Sequence, residues 1–206
     1  MKPMIAFTVA IQAGGRSSRM GTDKSFVELQ GRPLIAHVID RIGGLGQAST
    51  FIVTNTPEPY RALGLPLVAD VIPGAGSLGG VYSALMRSLT PYTLVVGCDM
   101  PLLNPDLLRF LVARAAEAEG PYDAIVPRFE GVPQGLHALY ANACRATLHH
   151  RLLEQKLQIK AFFGAINTRF VDEPEYAHID PEGRSFRNIN TPEDLAATEQ
   201  FLAPGG

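Results

Sequence analysis

The chain has 206 residues, is 46% hydrophobic and carries 18 Lys and Arg against 20 Asp and Glu, a formal net charge of −2. That balance leaves no broad basic surface for nucleic acid, so any cationic site has to be local. No apolar run approaches the ~20 residues that span a bilayer.

The first four residues, Met1-Lys2-Pro3-Met4, lead straight into residues 5–11, an apolar run of strand length. Pro33 opens a helix in which Leu34, Val38 and Ile42, flanked by Ile35 and Ile39, recur near the 3.6 period. Strands are expected at 50–54 and 66–69, followed by a glycine-rich loop at 73–80 that opens a helix through Leu89. Residues 92–97 form a buried strand. Asn104-Pro105-Asp106 then places an N-cap, a proline at N1 and an acid in the first turn of a helix through about Ala118. Strands at 123–127 and 136–140, helices around 143–155 and 159–165, and a strand at 168–172 follow. Thr191-Pro192-Glu193-Asp194 has the pattern of a capping box ahead of a final helix. Strands alternating with helices predict a mostly parallel sheet covered on both faces. No linker divides residues 1–206, which are expected to form one domain. Cys98 and Cys144 lie far apart with no Cys-x-x-Cys spacing. With no cleavable signal at the N-terminus, this reads as a cytoplasmic protein with reduced thiols and no membrane partner.

The most informative stretch is Ile11-Gln12-Ala13-Gly14-Gly15-Arg16-Ser17-Ser18-Arg19-Met20-Gly21-Thr22-Asp23-Lys24, which sets three glycines and three cations just after the first strand. Glycines allow positive φ and close backbone approach, successive N–H groups form an anion nest, and Arg16, Arg19 and Lys24 supply countercharge. This reads as a nucleotide-phosphate loop, one that could hold a triphosphate. Asp23 precedes Lys24-Ser25 where a Walker A loop has glycine, which excludes a P-loop NTPase. Arg16 stands where the second glycine of G-x-G-x-x-G belongs, which argues against a dinucleotide protein. In an open α/β sheet ligands sit at the carboxyl ends of strands, where this chain carries Ala13-Gly14-Gly15, Asn55, Asp70 and Cys98-Asp99. A carboxylate leaving the dry strand 94–98 at Asp99 suits a hard divalent cation, and an Asp before Pro101 also serves as a plain turn residue. Asn55 and Asp70 read equally as loop punctuation before Pro57 and Pro73.

Ala13-Gly14-Gly15, Arg19-Met20-Gly21 and Asp23-Lys24 match the pattern Leu-Ala-Gly-Gly-x-x-x-Arg-Met-Gly-x-Asp-Lys. On these residues, and on Leu29-Gln30-Gly31-Arg32-Pro33-Leu34 after them, the chain resembles the nucleotidyltransferases of glycosyltransferase-A-like fold, and among them the molybdenum cofactor guanylyltransferase family. Asn188-Ile189-Asn190-Thr191-Pro192-Glu193-Asp194 matches a second phrase of that family, and Gln134-Gly135-Leu136-His137-Ala138 a third, with Gly135 in place of proline. Gln12 replaces the family leucine. The resemblance implies an α/β, Rossmann-like three-layer sandwich, and an enzyme that transfers GMP from GTP to the phosphate of molybdenum-molybdopterin, releasing pyrophosphate. It implies catalytic roles for Lys24, Arg19 and Asp99, and GTP binding by Gln12, Ala13, Gly14, Gly15, Lys24, Asn55, Asp70 and Asp99. It further implies Mg²⁺ on Asp99 and acceptor binding by Asn188 and Asn190, whose side chains project to the same side if the segment is extended. The segment 74–80 is expected to line the base pocket, with Ser77 and Gly79 replacing the family proline and alanine. Partners would be GTP, molybdenum-molybdopterin, molybdopterin-donating proteins and apo-molybdoenzymes. Cytidylyl transfer, sugar-phosphate nucleotidyl transfer and a non-catalytic GTP or molybdopterin carrier stay open at this point.

Other features carry less. His137 reads as packed or hydrogen-bonded as readily as catalytic. His149 and His150, adjacent on a helix, cannot face one metal. Cys98 reads as a small buried side chain, and the run 109–119 as a solvated helix face.

Overall fold

The computed structural model describes residues 5–14, 23–116 and 121–202. In chain order the elements are β1 (Phe7–Gln12), β2 (Glu28–Leu29), β3 (Arg32–Pro33), α1 (Leu34–Ile42), β4 (Ser49–Val53), β5 (Leu67–Val68), α2 (Gly76–Arg87) and β6 (Tyr92–Gly97). They continue with α3 (Pro105–Arg114), β7 (Ala124–Phe129), β8 (Val132–Pro133), β9 (His137–Ala141), α4 (Arg145–Leu153), α5 (Ile159–Phe162), β10 (Thr168–Val171), α6 (Glu173–Tyr176) and α7 (Pro192–Leu202).

The main sheet runs β10-β7-β9-β6-β1-β4-β5, with β8 beside β7. β1 pairs in parallel with β4 and with β6, β4 with β5, and β10 with β7. β9 is antiparallel to both β6 and β7. The expected mostly parallel sheet is therefore present, with β9 and the two-residue β8 reversed. The chain builds outward from β1 to β4 and β5, then returns through α2 to place β6 on the other side of β1. The carboxyl ends of β1 and β6 thus flank the switch point where open α/β sheets bind ligands.

The period-2 alternation of the strands sorts their side chains into two cores. Val9 and Ile11 of β1 and Leu94 and Val96 of β6 pack with Ile35, Val38 and Ile42 of α1 and Leu107, Leu108 and Leu111 of α3. Ala10, Phe51, Val53 and Val95 face the other way, onto Leu78, Val81 and Leu85 of α2 and Leu148 and Leu152 of α4. This is the expected three-layer sandwich. On α1 the predicted stripe is realised: Leu34, Ile35, Val38 and Ile42 are all buried, each worth about 2 kcal/mol by area removed from water.

Caps follow the sequence signals. Asn104 Oδ1 accepts from the Asp106 N–H at 2.9 Å, with Pro105 at the start of α3. Thr191 Oγ1 accepts from Asp194 N–H at 3.1 Å while Asp194 Oδ2 accepts from Thr191 N–H at 2.9 Å, a reciprocal pair of the capping-box kind. α2 stops at Arg87, two residues short of expectation, because Ser88 turns to extended backbone. α3 ends at Arg114 where a run to 118 was expected. β2 and β3 make a two-residue hairpin through Gln30 and Gly31, both at positive φ, the pairing that a tight hairpin requires. Against this hairpin and α1, Ile189 packs beside Leu29 and Leu34, which carries the 188–190 segment back to the first loop.

Candidate active site

Backbone pairing extends past β1 and β6 and brings two loops side by side. Ala13 N–H donates to Val53 O at 2.9 Å, and Cys98 N–H donates to Gln12 O at 3.1 Å. Gly14 follows at φ 92°, a conformation that a residue with Cβ rarely adopts. Gly15, Arg16 and Arg19 lie outside the described residues.

The chain resumes at Asp23, whose Oδ1 accepts from Ser25 N–H at 3.1 Å and so caps the short 3₁₀ turn Lys24–Phe26. This turn presents Lys24, whose Nζ donates to Asn190 Oδ1 at 2.8 Å across 166 residues of sequence. Asp99 stands opposite, just beyond Gly97-Cys98. Its carbonyl accepts from Ile189 N–H at 2.9 Å, which pins the 188–190 segment to the end of β6. A Cβ at Gly97 would lie 2.7 Å from Asp99 Oδ1, so only glycine there lets the carboxylate fold back against the strand. Burial pushes the Asp99 carboxyl above its ordinary 3.8, while the nearby Lys24 ammonium pulls it down. The structure therefore brings Gln12, Ala13, Gly14, Lys24, Asp99 and Asn190 together at the switch point, with exposed Asn188 on the same strap.

Asn55 and Asp70 form a second cluster at the ends of β4 and β5. Asn55 Nδ2 donates to Asp70 Oδ2 at 2.8 Å, and Asp70 N–H donates to Asn55 Oδ1 at 2.9 Å. Ser83 of α2, fully buried, lies 3.3 Å from Asp70 Oδ1 and accepts from Val71 N–H at 2.9 Å. The two residues are oriented by each other and by the helix that follows the second glycine loop. α2 itself lies close against β1: a Cβ on Gly80 would overlap the Gln12 carboxamide, whose buried Oε1 has no hydrogen-bond partner among the described residues.

Among the described residues no group of three or more His, Cys, Asp and Glu gathers in a metal-holding arrangement. The desolvated Asp99 carboxylate at the end of β6 is an oxygen ligand of the kind a hard divalent cation takes together with waters and substrate oxygens. Cys98 is buried, and burial pushes its thiol up to about 12; a thiol held protonated is no nucleophile. His137 is fully buried under the Phe186 ring, 4.9 Å between centroids, a packed residue. His149 stacks on Tyr82 at 5.4 Å and is exposed together with His150. Sequence reasoning passed over Ser25, Tyr60 and Ser83. For Ser83 and Tyr60 no local signal exists, since both act on residues more than ten positions away.

The family model for the MobA-like NTP transferase domain matches residues 9–168. A protein of Syntrophotalea carbinolica named molybdenum cofactor guanylyltransferase is 32% identical over 188 residues, covering 91% of this chain and 88% of that protein. One of Pelotomaculum thermopropionicum, named probable molybdenum cofactor guanylyltransferase, is 34% identical over 195 residues, covering 93% and 91%. The crystal structure of molybdopterin-guanine dinucleotide biosynthesis protein A from Archaeoglobus fulgidus superposes with a TM-score of 0.81 at 28% identity, covering 94% of this chain and 97% of that one.

Proposed function

The chain belongs to the MobA-like NTP transferase family and is a nucleotidyltransferase, and on that premise we propose that it transfers GMP from GTP to the phosphate of molybdenum-molybdopterin. The observation that carries the reading is the meeting of Lys24, Asp99 and Asn190 at the switch point, within one site that also holds the Gly14 turn. The similarity to proteins named molybdenum cofactor guanylyltransferase supports it.

An acceptor phosphate oxygen forms a bond to the α-phosphorus of GTP, the bond from that phosphorus to the oxygen bridging to the β-phosphate breaks, and pyrophosphate leaves. No covalent link to the protein is needed. The work of the protein is positioning and charge stabilisation. Gly14 and its neighbours bring backbone N–H groups up to the triphosphate. Lys24 offsets charge that develops toward the leaving pyrophosphate, and Arg19 is assigned to the same task. Asn55 and Asp70, held at a fixed separation by their two hydrogen bonds, hold the nucleoside, and Asn188 and Asn190 face the acceptor. Asp99, whose carboxyl is pushed up by burial and drawn back in part by its own backbone and by Lys24, would hold Mg²⁺. When bound, the metal neutralises phosphate charge and orients the oxygens for in-line displacement. GTP and molybdenum-molybdopterin are the partners of this reading, and molybdopterin-donating proteins and apo-molybdoenzymes its upstream and downstream ones. No helix among the described residues is long and apolar enough to cross a membrane.

Calorimetric titration with Mg²⁺ and GTP, CTP, UTP or ATP tests the reading. Selective GTP binding, weakened at least tenfold in Lys24→Ala, is expected. Preference for CTP or UTP would move the assignment to another nucleotidyl donor, and equal binding by Lys24→Ala would remove Lys24 from the phosphate site.

A further inference from the structure

Lys24 is bracketed in sequence by two residues that both hold the same distant side chain. Tyr60, on the 3₁₀ turn Glu58–Leu63 that follows β4, places its hydroxyl 2.7 Å from Asp23 Oδ2 and 2.8 Å from Ser25 Oγ. A carboxylate only accepts, so the Tyr60 proton goes to Asp23 and the Ser25 hydroxyl donates to the Tyr60 oxygen. With Ser25 N–H donating to Asp23 Oδ1, the three residues close a ring of hydrogen bonds around the residue between Asp23 and Ser25. Tyr60 and Ser25 are both fully buried, and the Tyr60 ring rests against Phe26 at 5.0 Å. Burial raises the Tyr60 hydroxyl well above its ordinary range, so it stays a donor at every working pH.

We propose that Tyr60 is the positioning residue for Lys24, fixing the turn so that the ammonium points to Asn190 and Asp99. The ring has a second consequence. Tyr60 lies five residues beyond Asn55 on the same connection, so the segment 55–60 carries a nucleoside-facing residue at one end and the anchor of the phosphate-facing lysine at the other. One short strut, largely exposed along its length and anchored at its end by buried Tyr60, sets the distance between the two halves of the donor site. A hydrogen bond from a neutral donor to a half-buried carboxylate is of the stronger kind, and its loss leaves the lysine free to sample other directions.

This rests on the reading of Lys24 as a ligand of the donor's phosphates, and the test separates the two. Binding of Mg²⁺ with GTP is measured by calorimetry for the wild type, Tyr60→Phe, Lys24→Ala and the double variant, beside thermal unfolding of each without ligand. Tyr60→Phe keeps the ring and its contact with Phe26 and removes only the hydroxyl. It is expected to weaken GTP binding about tenfold and to have no further effect once Lys24 is gone. Asp23→Asn, which cannot accept from both Tyr60 and Ser25, is expected to weaken binding in the same direction and serves if Tyr60→Phe fails to fold. Unchanged affinity with a lowered melting temperature would make Tyr60 merely structural and overturn the proposal. So would an equal loss in the wild-type and Lys24→Ala backgrounds. A wild-type protein that does not bind GTP, or a Lys24→Ala variant that binds it normally, would overturn the donor reading itself, and this role with it.

Discussion

His137→Leu should alter the acid stability of the protein and leave its chemistry alone. His137 sits on β9 opposite Val96, with none of its surface exposed and neither ring nitrogen in hydrogen-bonding geometry with a partner among the described residues. Burial pushes its pKa from 6.5 down to about 4; the Asp180 carboxylate and the Ser185 backbone lie near enough to oppose this only in part. Below 6.5 the unfolded chain takes up a proton that the native chain refuses until about 4. Native stability therefore falls with pH across that window, at about 1.4 kcal/mol per pH unit, for a total of about 3 kcal/mol. Leucine has no proton to take and no orphaned nitrogens, so the variant should be at least as stable at pH 7. Urea unfolding of both proteins at pH 7, 6, 5 and 4.5 gives the comparison, in which the acidic residues common to both cancel. The wild type should lose about 3 kcal/mol relative to the variant by the acid end. Parallel stability curves would refute the reasoning, and a variant inactive yet fully folded would give His137 the chemical role that its burial argues against.

Asn190→Ala should weaken binding of Mg²⁺ and GTP several-fold with no acceptor present, because the Lys24 ammonium loses its 2.8 Å partner; calorimetry that finds normal GTP affinity would confine Asn190 to the acceptor. Asp99→Asn should abolish turnover and raise the melting temperature in EDTA at neutral pH. The native carboxyl has a raised pKa, so its contribution favours the fold at low pH and is lost as pH rises through that pKa, and asparagine removes the cost of ionising it. Gly80→Ala should cost about 1–3 kcal/mol as an overpacked contact with Gln12. Adding Gln12→Ala should recover most of this in a denaturation double-mutant cycle, since the three atoms nearest the new Cβ all belong to that carboxamide.

The parts of this molecule that could be read in sequence are those whose cause is local. The α1 stripe, the Asn104 and Thr191 caps and the buried run of β6 each announce themselves within a dozen residues, and each stands where it was expected. β2 and β3 are two residues long, too short to show any period. The reversal of β9 between two strands of the opposite sense is invisible because an apolar run carries no direction. At the candidate site, Gly14 and Asp99 stand out in sequence because they follow apolar strands where the fold binds ligands, and Lys24 because it closes a glycine-rich run. What joins them was not legible. The Lys24 contact with Asn190 spans 166 residues and the Asp23 contact with Tyr60 spans 37, and nothing in either segment alone names its partner. The pairing of Asn55 with Asp70 likewise depends on β4 and β5 lying side by side.

The most direct test of the account follows the phosphorus atoms. The protein is given GTP labelled at the α-phosphorus or at the γ-phosphorus, with Mg²⁺ and molybdenum-molybdopterin, and the products are separated. The account predicts α-label in a guanine dinucleotide form of the pterin, γ-label in pyrophosphate, and little transfer when CTP replaces GTP. Label appearing as inorganic phosphate, or a pterin product formed from CTP in preference to GTP, would contradict it.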